Sequence, residues 1–249
     1  MALNPPEAWP LPDKIRKRFG QKSPGKQRAM IADGHLLLVL HKAPKSDQRD
    51  REGIFFWRSP DGQWRHNGWG DGLETLWEHI NEYNAAADQF DQSYESAADA
   101  EDYFTLLEEM SPLHHAAKNL YATLQAAREG IPQDRDLIDL RDEAYELERT
   151  LDLLYTDTKN ALDFNMAKKA EEQARFGMQA VQTGHRLNVL AAIFFPLTAV
   201  ASLFGMNMDS GLEDSPPWVF WIILSVGLLL GFIIRGWVLQ EASKKGANR

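Results

Sequence analysis

Along most of the chain, apolar residues recur at three- and four-residue steps, and near its end they merge into two unbroken runs. Leu187 to Phe204 is 18 residues without a charged side chain, and Trp218 to Ile234 gives 17 more. A helix crossing a bilayer needs about 20 such residues, within a range of about 17–25. Two runs of that length, 13 residues apart, predict a pair of membrane spans, about 187–204 and about 218–239. Arg235 falls inside the second, close enough to its end for the side chain to reach the headgroups, and Trp218, Trp221 and Trp237 stand near the span's ends, where indole rings favour the interface.

Upstream, the steps of three and four describe helices. Leu73, Leu76, Ile80 and Tyr83 form one stripe, and Leu106, Met110, Leu113, Ala117, Leu120 and Leu124 form a longer one ending at Gly130 and Pro132. A matching stripe of Leu137, Leu140, Ala144, Leu147, Leu151 and Leu154 starts after Asp134. Two such seams around a short turn predict an antiparallel helical hairpin with an apolar core. From Asp134 to Phe204 the only proline is Pro196, so the second helix is expected to run on as a stalk into the first span, roughly 100 Å at 1.5 Å per residue.

Before the helices the period changes. Lys26–Ala32, His35–His41, Gly53–Arg58 and Gln63–Asn67 read as short strands, with turn signals at Asp33-Gly34 and Pro60-Asp61-Gly62. The expected class is therefore α+β. A small antiparallel meander (about 26–67) is followed by helices (about 71–130), a stalk helix from about 134, and two C-terminal membrane helices. In domains, this is a basic, proline-rich arm (1–28), a cytoplasmic domain (29–186) and a membrane domain (187–249). The arm carries seven Lys/Arg against two acids and reads as a loosely held, solvated tail, with no apolar core for a signal peptide.

Charge refines the picture. The net charge of -9 argues against nucleic acid as a partner, and the absence of cysteine excludes disulfides and thiolate metal sites. Mean hydropathy is -0.42, an average over a polar body and an apolar end. Bases flank the two runs at Arg175, Arg186, Lys244, Lys245 and Arg249, whereas the connection GMNMDSGLEDSPP has Asp209, Glu213 and Asp214 and no base. The positive-inside rule then puts both termini in the cytoplasm and a short acidic loop outside. Between Arg65 and Lys118 there are twelve Asp and Glu and no Lys or Arg. A solvated helix face is the plain reading of that run. The functional one is a field that draws cations, or a regulatory divalent site built from Asp88, Asp91, Glu95 and Asp99, which a helix would place roughly on one side.

No nucleophile–base motif, HExxH or Glu-x-x-His pattern points to an enzyme, and GWGDG (68–72) has neither GxGxxG nor Walker spacing and reads as a loop. His114-His115 are adjacent, so about 100° apart on a helix, and suit a surface better than a shared metal site. The first apolar run ends at Gly205-Met206-Asn207, ahead of the acids. Magnesium dehydrates reluctantly, and a carboxamide with exposed carbonyls offers oxygen dipoles to a hydrated ion without trapping it. One chain supplies one Asn207, so this role requires several copies around an axis, with Asp209, Glu213 and Asp214 concentrating cations at the outer mouth.

At these residues the chain resembles the CorA-type magnesium channels and transporters. Gly205-Met206-Asn207 matches the family's Gly-Met-Asn signature at the outer end of the first of two C-terminal spans, and Pro196-Leu197-Thr198 matches its Pro-Leu-Thr. The resemblance implies a homopentamer in the cytoplasmic (inner) membrane, with the first span lining a pore for Mg²⁺. Mg²⁺ would be the transported ion, with no cofactor. By position, Asn207 would form the selectivity ring, Thr198 a polar ring below it and Leu187 an apolar constriction. Phe195 stands where members often have methionine, and Val181 where a polar residue is common. The usual acidic stalk site falls near Ala170, beside Glu171 and Glu172, and the N-terminal domain is smaller than usual. Two alternatives share parts of this pattern: a ZntB-like zinc transporter of the same architecture, and a non-conducting, membrane-anchored coiled-coil scaffold.

Overall fold

The structure, a computed structural model, describes residues 4–20, 25–44, 52–68, 70–205 and 216–246, without the side chains of 200, 203–205, 230, 234, 235 and 237–246. The chain divides into two compact units, Met1–Lys168 and Lys169–Arg249. In order, the elements are α1 (Asp13–Arg16), β1 (Arg28–Ala32), β2 (His35–His41), β3 (Gly53–Arg58), β4 (Trp64–His66), α2 (Gly72–Ser96), α3 (Ala100–Gly130), α4 (Arg135–Gly205) and α5 (Trp218–Gly246).

In the first unit the four strands form an antiparallel meander, β1-β2-β3-β4. Ala32 pairs with His35, His41 with Gly53 and Arg58 with Trp64. Asp33 and Gly34 make the first turn with φ of 51° and 80°, the doubly left-handed geometry that Asp-Gly accepts and that matches strand twist. Side chains alternate across the sheet. Leu36, Leu38, Leu40, Phe56 and Trp64 pack with α2, α3 and the first part of α4, while Met30, Leu37, Val39, Phe55 and Trp57 form a second core on the other face. This explains why β2, HLLLVLH, is an uninterrupted apolar run rather than an alternating one: both faces are covered.

The cover on the second face corrects the expectation for the N-terminal arm. Trp9, Leu11 and Ile15 are buried against that face, with the Trp9 and Trp57 rings 5.8 Å apart. Fully burying a large apolar side chain stabilises by roughly 1.5–3 kcal/mol, so three of them outweigh the solubility of the neighbouring bases. The described part of the arm is a docked layer, not a solvated tail.

Three long helices start from an aspartate. Asp71 accepts hydrogen bonds from the amides of Leu73 (2.7 Å) and Glu74 (3.1 Å). Asp99 and Asp102 form a reciprocal capping box that ends the turn at 97–99 and opens α3. Asp134 accepts from the Leu137 amide at 3.2 Å and also receives the Nε–H of Arg58, tying the start of α4 to β3. At Gly72 there is no room for a side chain: a Cβ would lie 2.4 Å from the backbone nitrogen of Arg65. Gly72 is thus the joint that lets α2 approach β4. The two leucine seams pack as the sequence reading expected, with Leu106 to Leu124 of α3 and Leu137 to Leu154 of α4 in one core.

In the second unit, the remainder of α4 and α5 approach each other through Ile193 and Leu197 on α4 and Gly227 and Gly231 on α5.

Candidate ion pathway

The residues expected to line a pathway sit on α4 in a regular order. At about 100° per residue, Leu187, Phe195, Thr198 and Gly205 fall within about 80° of the helix circumference, and Val181 lies about 40° beyond Phe195. Ile193 and Leu197, which meet α5, are centred roughly 140° from the middle of that strip. One side of α4 is therefore taken up by α5 while the other stays open. Val181 is 72% exposed, Leu187 61% and Phe195 73%, and exposure continues round the helix at Leu190 (51%) and Phe194 (56%).

Thr198 is exposed on the same strip, and its Oγ1 donates to the carbonyl of Phe194 at 2.7 Å. With its proton committed to the backbone, the hydroxyl presents lone pairs outward, which suits the hydrogens of water around a cation. Pro196 sits between Phe195 and Thr198's turn and cannot donate to the carbonyl of Ala192, so an intrahelical bond is missing beside the strip's bulkiest side chain. Gly205 ends α4, whereas Met206, Asn207, Asp209, Glu213 and Asp214 lie outside the described residues.

The proposed regulatory acids are not brought together. Asp88, Asp91 and Glu95 are exposed on α2, but α2 ends at Ser96, and Asp99 caps α3 by accepting from the amides of Glu101 and Asp102 at 2.8 and 3.2 Å. The expectation that all four share one helical side is corrected by the break at 97–99. Glu171 and Glu172 are exposed on α4. Among the described residues no group of three or more His, Asp or Glu is placed to hold a metal ion. His114 stacks on Tyr155 (5.1 Å) and bonds Asp152 at 3.2 Å, while His115 turns to the carbonyl of Ser111, so the two rings serve different partners.

One histidine stands apart. His79 of α2 is buried among Phe56 and Tyr83, and burial lowers its pKa to about 4, a shift only partly offset by its bond to the backbone of His41. It is neutral at physiological pH and belongs to the helix–sheet core. The residues that sequence reasoning passed over are Gly227 and Gly231, although their Gly-x-x-x-Gly spacing in an apolar helix was a legible sign of close packing.

Among the described residues no helix is long and apolar enough to cross a membrane.

Residues 71–240 match the family model described as CorA-like Mg²⁺ transporter protein, and the chain belongs to that family. The family consists of transporters and channels for divalent cations, not enzymes. Among solved structures, the chain is similar to the one described as the full-length CmaX protein, at 16% identity and a TM-score of 0.50, covering 87% of this chain and 77% of that one. It is also similar to the CorA magnesium transporter from Methanocaldococcus jannaschii, at 12% identity and a TM-score of 0.44, covering 86% and 79%. No curated protein matches the chain.

Proposed function

We propose that the chain is the subunit of a passive channel that admits Mg²⁺ across the cytoplasmic membrane. Five copies would surround an axis, with both termini in the cytoplasm. In this reading α4 carries the inner span and α5 the outer one, and the ring of Asn207 carboxamides selects the hydrated ion. The observation that carries the reading is the open strip of Leu187, Phe195 and Thr198 on the side of α4 away from its contacts with α5. Apolar side chains left bare on one side of a helix need either lipid or a partner, and a threonine oxygen among them favours a water-bearing axis.

Selection would proceed by exchange of outer contacts rather than dehydration. The ion keeps most of its water, Asn207 and the exposed carbonyls accept from that water, and Asp209, Glu213 and Asp214 raise its local concentration. Thr198 repeats the same contact lower down, and Phe195 and Leu187 narrow the path where no oxygen is offered. The membrane potential drives entry: a divalent ion gains about 4.6 kcal/mol per 100 mV, twice the single-charge value.

Ion-competition flux with Mg²⁺, Zn²⁺ and Ni²⁺ on the purified oligomer in vesicles tests the ion. Mg²⁺ is expected to permeate, with Ni²⁺ competing. Zn²⁺ permeating in preference to Mg²⁺ would assign the chain to zinc transport, and a dimer by mass in detergent would remove the pore.

A further inference from the structure

The helix pair of the second unit has one point of very close approach. A Cβ on Gly231 would lie 3.2 Å from both the Cα and the carbonyl oxygen of Ile193. Both atoms belong to the backbone, so no side-chain rotation relieves the contact. At Gly227, one helical turn earlier, a Cβ would sit 3.7 Å from Leu197 Cδ1, an ordinary van der Waals distance. Both glycines are buried, while Gly236 is exposed and a Cβ there would meet nothing within 4 Å. Three glycines of one helix thus present three grades of contact.

Gly231 packs on Ile193, within the turn of α4 that lacks a hydrogen bond. The carbonyl of Ala192 has no donor four residues on, because Pro196 has no N–H. The Thr198 hydroxyl bonds back to Phe194 at 2.7 Å, a contact that tends to bend helices. Phe195 lies between the two α5 contacts, Ile193 and Leu197, and projects on the opposite, open side. A change in helix spacing here reaches Phe195 through two residues of backbone.

We propose that Gly231 is a positioning residue. Its missing side chain seats α5 on the backbone of α4 at the Pro196 turn, and the seat fixes how far Phe195 projects into the ion path. The inference rests on the channel reading above. Because Phe195 stands well away from Asn207 along the chain, the seat governs how fast ions pass and not which ion is chosen.

The test uses full-length protein in vesicles, with Mg²⁺ flux and Mg²⁺/Ni²⁺ competition measured on the parent and on Gly231→Ala, Gly231→Leu, Gly227→Ala and Gly236→Ala. Overpacking strain of the usual size, felt in full at the barrier, corresponds to rate changes of about 5- to 150-fold, so Gly231→Ala is expected to lower flux by about tenfold and Gly231→Leu by more. Gly227→Ala and Gly236→Ala should stay within about twofold of the parent, and the competition order should not change. Adding Phe195→Ala to Gly231→Ala should restore flux, which a merely structural lesion would not allow. The chain has no cysteine. A Leu197→Cys/Gly227→Cys pair joined by a short thiol cross-linker therefore reports helix spacing without any flux, and Gly231→Ala should slow that reaction while Gly236→Ala should not. Parent-like flux and cross-linking in Gly231→Ala, or failure of Phe195→Ala to restore flux in an assembled Gly231→Ala protein, would overturn the proposal. A parent without flux would overturn the channel reading instead, and the cross-linking arm would still judge the seat.

Discussion

Removing Arg58 from the Arg58–Asp134 pair leaves a carboxylate buried at the start of α4 with its counter-charge gone. The pair's side chains are 13% and 6% exposed, so water cannot readily replace the lost guanidinium. Breaking a buried pair by deleting one partner typically costs about 3–5 kcal/mol, whereas exposed pairs are worth about 0–1. Asp134 is also the acceptor for the Leu137 amide, and losing such a cap costs roughly 0.5–2 kcal/mol. Arg58→Met, which keeps the aliphatic packing, is therefore expected to be strongly destabilising, and Asp134→Asn, which keeps a cap oxygen, less so. Asp134→Ala combines an unpaired Arg58 with an uncapped helix. For a chain of about this size 1 kcal/mol corresponds to about 2–4 °C, so Arg58→Met should lower the melting temperature by about 6–20 °C. Thermal unfolding of the detergent-solubilised full-length protein, followed by far-UV circular dichroism, measures this. The double variant Arg58→Met/Asp134→Leu should recover much of the loss, since an apolar replacement of both charges leaves neither unpaired. A melting temperature within 2 °C of the parent in Arg58→Met, on the scale just cited, would refute the reasoning that this pair fastens α4 to the sheet.

Two further expectations concern the first unit. Trp9→Ala should destabilise by about 3–5 kcal/mol, because it opens a cavity between the arm and Trp57, and limited proteolysis should then cut within residues 9–19; a parent-like digest would show that the arm is not docked. His79 is neutral when folded and takes up a proton more readily when unfolded, so its contribution is complete above pH 6.5 and falls as pH drops from 6.5 toward 4, by up to about 3 kcal/mol. Melting temperature against pH should therefore decline more steeply across that window in the parent than in His79→Phe, and parallel profiles would exclude His79 as the source.

How much of this was legible in the residues depended on whether the relevant force was local. Asp33-Gly34 announces its turn because few pairs tolerate two left-handed residues, and the leucine steps of 106–124 and 137–154 announce a core because helical period and burial coincide. The docking of the arm is not legible in the sequence because its signal is tertiary. Trp9, Leu11 and Ile15 are spaced among prolines and bases with no period, and only the second face of the sheet gives them a reason to be buried. The unbroken β2 run was the available hint. The break at 97–99 was written in Asp99-x-x-Asp102, a capping box masked by the surrounding acids, and it separates Asp99 from Asp88, Asp91 and Glu95. The Phe195–Thr198 strip was placed by family resemblance, and the seat behind it at Gly231 was legible only as a spacing of small residues until Ile193 gave it a neighbour.

In the proposed channel, Asn207 carboxamides select a hydrated divalent cation in a passive pore. Mg²⁺ entry into vesicles holding the purified full-length protein, driven by an inside-negative potential, tests it most directly when parent and Asn207→Ala are compared at equal reconstitution. Potential-driven Mg²⁺ entry is expected in the parent, with loss of both flux and Mg²⁺ preference in Asn207→Ala. Parent-like flux and selectivity in Asn207→Ala would contradict it.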